Sequence, residues 1–370
     1  MKALFVIPGL TCSSPIRWLV SLILCLPYKS KISLLVLDGH AESKELYELL
    51  TNAGVDVIFG EGRGVIGLVK NILTIRKLHA SNNFGFVFSM LLRADLAVSF
   101  GGIKNSACSV RNDILEEYHY NYGNIWGRIF SKIHIEAIKR FRVCIVMSSG
   151  MQNKLVDAGV KVTKLIPNSL DVRLIEEQSG ASESFWSKRA DNVTRFVMVG
   201  SLIPRKRVRE SIEIFSRLFD KGYDFELLIV GDGPLREPLE TFLDSLPVGK
   251  SGQVKLVGHV DNPIPCVAHS DIVFMNSSCE GVSRSILEAA YLNKVIVSRI
   301  NDGIEELRAS RVVCNSFSSD EEAVEMLANF LNNSLELKQA ELPCQYFLES
   351  VVQEYCELFE NINGRNILQK

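Results

Sequence analysis

A chain of 370 residues with 47% hydrophobic and 23% charged side chains holds enough apolar material for two ordinary domains, which excludes a disordered or fibrous chain. Nine scattered cysteines without a C-x-x-C pair exclude a zinc ribbon and a disulfide framework, and fit a reducing cytoplasm. The formal net charge of −2 hides an asymmetry: residues 1–170 carry 20 Lys and Arg against 12 Asp and Glu, residues 171–370 carry 21 against 31. The basic first half suits an anionic partner, either a membrane surface or a pyrophosphate-linked acceptor; a solvated basic face with no membrane role is the alternative. No nucleic-acid partner is expected.

The opening Lys2 to Leu10 lacks the basic region and cleavage site of a signal peptide, so it predicts a strand, Ala3 to Ile7, ending in a Pro8-Gly9 turn. Trp18 to Leu26 is apolar for only nine residues, against about 20 for a bilayer span, and reads as a helix packed in the core or touching a membrane. Strand and helix then alternate: strands at Ile32 to Leu37, Val55 to Phe59 and Phe84 to Ser89, helices at Ser43 to Ala53 and Ile66 to His79. That alternation predicts a parallel α/β sheet. Gly62-Arg63-Gly64-Val65-Ile66-Gly67 has the dinucleotide-binding spacing, but it follows the third strand, and no acidic residue lies between Gly67 and Asp95 to hold a ribose. It is read as a decoy.

Gly101 to Tyr122 is polar and aromatic and reads as a long functional loop, with a surface helix over Asp113 to Tyr122 as the alternative. Val143 to Ser148 is a further strand, and Met151 to Asp157 lies on a helix. Glu176 to Asn192 is a linker by composition. Arg195 to Val199 is a strand that runs through Gly200-Ser201 into the basic loop Arg205-Lys206-Arg207 before a helix over Val208 to Phe219. Cations oppose the helix dipole at that end, so a diphosphate is their natural partner. Phe225 to Val230 and Val254 to Val257 are strands, the second followed by Gly258-His259-Val260; His259 alone reads as a loop histidine.

Asp271 to Met275 is a buried strand that leads through Ser277-Ser278-Cys279-Glu280-Gly281-Val282-Ser283 into a helix carrying Glu288. A loop at the carboxyl end of a parallel strand is where ligands bind, and a helix start offers unpaired N–H groups to phosphate. Glu280 and Glu288 cannot take phosphate, but they can accept from sugar or ribose hydroxyls. The bland alternative is a capping box, Ser285-Ile286-Leu287-Glu288, beside a solvated Glu280. Val295 to Ser298, Glu321 to Asn332 and Leu348 to Asn361 complete the pattern as strand, helix and last helix.

Glu280-Gly281, six residues, then Glu288-Ala289 after a hydrophobic strand resembles the retaining nucleotide-sugar glycosyltransferases of family four, the glycosyl transferases of group 1. Ile166-Pro167-Asn168-Ser169-Leu170-Asp171 resembles that family's Ile-Pro-Asn-Gly-Val-Asp, with Ser169 in place of glycine. Gly200-Ser201-Leu202 and Lys206 resemble Gly-Arg-Leu, three residues, then Lys, with Ser201 where arginine is usual and Arg205 or Arg207 as candidates for the missing charge. Gly231-Asp232-Gly233 and Asp302-Gly303-Ile304-Glu305-Glu306 resemble its turns. Arg111 before Asn112-Asp113 stands where the family shows a histidine. The likeness covers residues 143–330 well and residues 1–142 by the order of elements.

The resemblance implies an α/β GT-B fold, two Rossmann-like domains facing across a cleft. Residues 1–170 would bind the acceptor, residues 171–347 the nucleotide sugar, and residues 348–370 would pack back on the first domain. It implies transfer of a hexosyl or N-acetylhexosaminyl group from a nucleoside-diphosphate sugar to a glycan or lipid-linked acceptor, with retention, in polysaccharide or lipopolysaccharide synthesis at the inner face of the cytoplasmic membrane. The nucleotide sugar is a co-substrate; no other cofactor and no metal is implied. Lys206, Arg205 and Glu280 would be catalytic. Glu288, Gly281, Val282, Ser283, Ser201, Gly200, His259, Val260 and Gly9 would hold the donor, and Arg111, Asn112 and Asp113 would lie on the acceptor side. A sugar-nucleotide 2-epimerase and a non-catalytic GT-B binding subunit remain as alternatives, because fold does not settle function.

Overall fold

The structure, a computed structural model, describes residues 2–180, 185–186, 193–313 and 315–363. The chain forms two compact units, Met1–Ser169 with Phe347–Lys370, and Leu170–Tyr346.

The first unit runs β1 (Ala3–Ile7), α1 (Ser14–Cys25), β2 (Ile32–Val36), α2 (Lys44–Asn52), β3 (Asp56–Phe59), α3 (Gly64–Asn82), β4 (Phe86–Met90), α4 (Leu92–Gly101), β5 (Ser106–Ser109), α5 (Ile114–Ile138), β6 (Val143–Val146), α6 (Ser149–Asp157) and β7 (Thr163–Leu165). Its strands pair in parallel in the order β3-β2-β1-β4-β5-β6-β7. The order reverses at β1, so right-handed crossovers set α1 and α2 on one face and α3 to α6 on the other. β1 is apolar along its whole length because both of its faces are covered. The chain's last helix returns to this unit, where Tyr355 and Phe359 join Phe5, Phe86 and Phe88; Phe86 and Phe359 stack at 4.3 Å.

The second unit runs α7 (Val172–Ser179), β8 (Thr194–Val199), α8 (Val208–Asp220), β9 (Phe225–Val230), α9 (Arg236–Ser245), α10 (Pro247–Lys250), β10 (Val254–Gly258), α11 (Ile264–Ala268), β11 (Ile272–Met275), α12 (Arg284–Tyr291), β12 (Val295–Arg299), α13 (Asp302–Ala309), β13 (Asn315–Phe317) and α14 (Asp320–Leu331), before the returning α15 (Leu348–Asn363). Its parallel sheet is ordered β10-β9-β8-β11-β12-β13. The reversal falls between β8 and β11, and in such sheets the crevice at the carboxyl ends of those strands is the ligand site.

Two expectations need correction, and one helix falls where no element was expected. The long loop at Gly101 to Tyr122 is instead β5 followed by α5, whose first helical residue is Ile114 and whose cap is Asp113. A helix, α4, stands where the sequence suggested none. The linker at Glu176 to Asn192 begins inside α7, and its residues 181–184 and 187–192 lie outside the described residues. In the glycine-rich turn after β3, Gly62 and Gly64 have positive φ, and a side chain on Gly67 would overlap the Gly62 carbonyl. Gly62 and Gly64 serve the backbone conformation of the turn, and Gly67 its close packing against α3.

Candidate functional site

In the second unit, β8 and β11 each deliver a loop to the switch point. After β8 the chain makes a single 3-10 turn, Pro204–Lys206, and Arg207 then takes a left-handed conformation (φ 50°) before α8 starts. That twist sends consecutive basic side chains in different directions. Arg205 Nη1 donates to Glu280 Oε1 at 2.9 Å and to the Cys279 carbonyl at 3.1 Å, and Lys206 Nζ lies 2.5 Å from the same Glu280 oxygen. Arg207 turns to Asp320 instead, at 2.7 Å. Of the two arginines that could stand in for the charge missing at Ser201, Arg205 is therefore the one at Glu280; Ser201 itself is exposed.

The loop after β11 is buried, which is unusual for a connection rich in polar residues: Asn276, Ser277, Glu280 and Ser283 all lie inside. Its backbone is tied down accordingly. Ser278 N donates to the Arg205 carbonyl at 2.8 Å, Asn301 Nδ2 to the Ser277 carbonyl at 3.0 Å, and Arg299 Nε to Asn276 Oδ1 at 2.6 Å. Gly303 lets α13 press against the loop, because a Cβ there would overlap the Gly281 carbonyl. Gly200 and Gly231 meet in the same way at the ends of β8 and β9, and a side chain on Gly231 would overlap the Gly200 carbonyl. Asn301, Arg299 and the packing role of Gly303 escape sequence reasoning, whereas Gly231 is legible as a turn glycine just past a strand end. A small cavity opens beside these elements, lined by Gly200, Ser201, Lys206, Met275 and Ser277 among others.

The two glutamates sit in opposite electrostatic settings. Burial alone would raise the pKa of Glu280, but Lys206 and Arg205 outweigh it and hold the carboxyl below its ordinary value. Burial raises Glu288, and the ion pair with Arg284 Nε at 2.8 Å only partly offsets this. The capping box does not form. The residue before the helix is Ser283, whose side chain caps nothing and instead lies 3.1 Å from the Ser285 hydroxyl, so Glu288 is a full turn inside α12. The solvated-loop alternative for Glu280 is likewise overturned by its burial. Gly281 and Val282 are buried in the same loop, next to the first turn of α12.

His259 is exposed and lies 3.2 Å from Asp261, while Val260 is half-buried beside it. Gly9 belongs to the first unit, in the turn after β1, where a Cβ would come within 2.8 Å of Asp38. On the same unit, Arg111 is held from three sides. Its guanidinium lies 3.7 Å over the Trp18 ring, donates to Asn168 Oδ1 at 2.6 Å and faces Tyr355, and burial lowers its pKa to about 10. Trp18 Nε1 in turn donates to Ser169 Oγ at 2.9 Å. Two of the three departures from the expected pattern, Arg111 and Ser169, thus meet around one indole. Asp113 caps α5 and pairs with Lys154 at 2.5 Å, and Asn112 accepts from the Asp113 backbone at 3.0 Å. These three side chains are engaged within the first unit.

Residues 182–342 match the family model for glycosyl transferases group 1. The chain has the GT-B fold, and its residues 182–342 resemble the glycosyl transferases of group 1. Over 200 residues it is 26% identical to an uncharacterized glycosyltransferase, MJ1059, of Methanocaldococcus jannaschii, a match that spans 51% of this chain and 46% of that relative. Among solved structures, Anabaena Alr3699/HepE in complex with UDP and glucose is similar with a TM-score of 0.70 at 17% identity, covering 98% of this chain and 97% of that one. The apo form of the lipopolysaccharide outer core galactosyltransferase WaaB gives 0.66 at 13%, covering 98% and 99%. At such identities these likenesses are of fold. The matched region, residues 182–342, contains Lys206, Glu280 and Glu288. Among the described residues, no group of three or more His, Cys, Asp or Glu side chains is placed to hold a metal ion, and no helix is long and apolar enough to cross a membrane.

Proposed function

We propose that this chain transfers a sugar from a nucleoside diphosphate to the hydroxyl of an acceptor, with retention of configuration. The observation that carries the reading is the pairing of Lys206 and Arg205 with buried Glu280 at the β8/β11 switch point, one loop from a second buried carboxylate, Glu288. In this reading the bond between the anomeric carbon and the diphosphate breaks, the acceptor oxygen bonds the same face of that carbon, and the acceptor's proton passes to the leaving phosphate. Negative charge builds on the diphosphate, and Lys206, Arg205 and the amides at the start of α12 neutralise it without a metal by preorganised electrostatics. Glu280 accepts from the donor sugar and Glu288 from the ribose. HepE, solved with UDP and glucose, supports a uridine nucleotide as the first probe. The acceptor is a glycan or lipid-linked precursor reached by the basic first half of the chain, at the cytoplasmic face of an anionic membrane.

A thermal-shift panel of nucleotide sugars tests the donor. A true donor at a hundred times its Kd should stabilise the protein by about 2.7 kcal/mol. No shift with any nucleotide sugar or free diphosphate would remove the reading. Incubation with donor alone separates it from epimerisation, since a transferase leaves the donor's sugar unchanged.

A further inference from the structure

We propose that the first unit docks on an anionic lipid bilayer through two amphipathic helix faces, the tip of α5 and the outer face of α3. α5 is two legs rather than one rod. Gly123 breaks it with φ 74° and ψ −179°, and the legs fold back on each other: a Cβ on Gly127 would come within 2.6 Å of the Tyr118 carbonyl, and Ser131 Oγ donates to the Ile114 carbonyl at 3.2 Å. His134 on the second leg bonds Asp95 at 2.8 Å, in the first turn of α4 just beyond the carboxyl end of β4. The helix between Gly123 and His134 therefore carries its Gly123 end about 16 Å from the Asp95 contact at 1.5 Å per residue.

The projecting leg buries Gly127, Ser131 and Ile135 against the unit and leaves Ile125 (74% exposed), Trp126 (61%), Ile129 and Ile133 outside. α3 repeats the pattern with Val65, Ile66, Val69 and Leu73, and by topology it lies on the same face of the sheet, two helices over. A soluble surface seldom carries two such stripes. The charge beside them decides the occupant. α3 has no acidic residue and exposes Lys70 and Lys77; from Tyr118 to Ile135 α5 has none either and exposes Arg128 and Lys132. A second copy would set like charges against each other, whereas anionic headgroups complement them. Apolar stripes with flanking Lys and Arg and an aromatic edge are what an interfacial helix requires.

The proposal rests on the membrane-side acceptor of the proposed function, and the test uses the whole chain without nucleotide, so its failure would leave the donor reading standing. Trp126 is the one exposed tryptophan, Trp18 and Trp186 being buried, so emission reports on the α5 tip. Vesicles of phosphatidylcholine mixed with phosphatidylglycerol should sediment the protein and shift Trp126 emission to the blue, and acyl-chain-brominated lipid should quench it. Val65→Ser/Ile66→Ser and Ile125→Ser/Ile129→Ser should each weaken binding at least about tenfold, as the lost apolar burial requires. Salt should weaken binding without abolishing it, because the apolar part is unscreened. All four positions are exposed, and unchanged melting would confirm intact folding. Absence of vesicle binding, binding that salt abolishes and the serine variants leave unchanged, or a dimer that those variants dissociate would each overturn the proposal.

Discussion

Lys206 places its ammonium 2.5 Å from the Glu280 carboxylate, and both side chains are largely removed from water. A buried cation paired to a buried anion is costly to break from one side only. The pair therefore ties the loop after β8 to the loop after β11 at the point where the sheet order reverses.

If Lys206 neutralises the departing diphosphate, Lys206→Ala should lower kcat by two or more orders of magnitude, roughly 3 kcal/mol of transition-state stabilisation. Arg205 stays on Glu280 in that variant, so the fold should persist. Wild-type turnover in a folded Lys206→Ala protein would take this residue out of the chemistry.

The glutamates should separate in calorimetry. Glu288→Gln should weaken binding of free UDP and of intact sugar nucleotide alike, since the ribose is common to both. Glu280→Gln should bind free UDP as well as wild type or better, because the carboxylate no longer competes with phosphate for Lys206 and Arg205. The same variant should lose affinity for the intact donor, and its turnover should fall. Identical behaviour of the two variants would contradict the assignment.

Their pH dependences should run in opposite directions. Glu280 is depressed, so its contribution to stability is present above the unfolded carboxylate pKa of about 4.3 and is lost as pH falls through the folded value. Glu288 is raised, so its contribution is full below that unfolded value and fades as pH rises through the folded one. Glu288→Gln should therefore melt no lower than wild type at neutral pH, whereas Glu280→Gln should melt lower. Melting curves of both variants from acid to neutral pH check the signs.

Gly303→Ala probes the support of the site. The added methyl would overlap the Gly281 carbonyl, and overpacking of this kind costs about 1–3 kcal/mol. We expect a lowered melting temperature together with weakened nucleotide binding. Retention of both would mean that α13 does not set the loop's position.

Much of the fold was readable because apolar runs such as Ala3–Ile7 and Phe225–Val230 are strands buried on both faces. β5 was not, because Ser-Ala-Cys-Ser has no branched or aromatic residue and becomes a strand only between β4 and β6. At the site, the spacing of Glu280 and Glu288 was visible, but the choice between capping box and buried carboxylate depended on where α12 starts, a matter of two residues. The choice between Arg205 and Arg207 depended on one left-handed residue, which composition does not encode. Gly303 belongs to a contact between segments more than twenty residues apart.

The return of α15 sets an order on synthesis. Val351, Tyr355 and Phe359 close the aromatic core around Phe5, Phe86 and Phe88, yet they leave the ribosome after the entire second unit has been made. The contiguous segment Leu170–Tyr346 can complete its own core first, reversing the usual N-to-C sequence of domain folding. Until residue 359 emerges, the nascent first unit holds three phenylalanines without their cover, and that interval is when a holdase chaperone has most to bind.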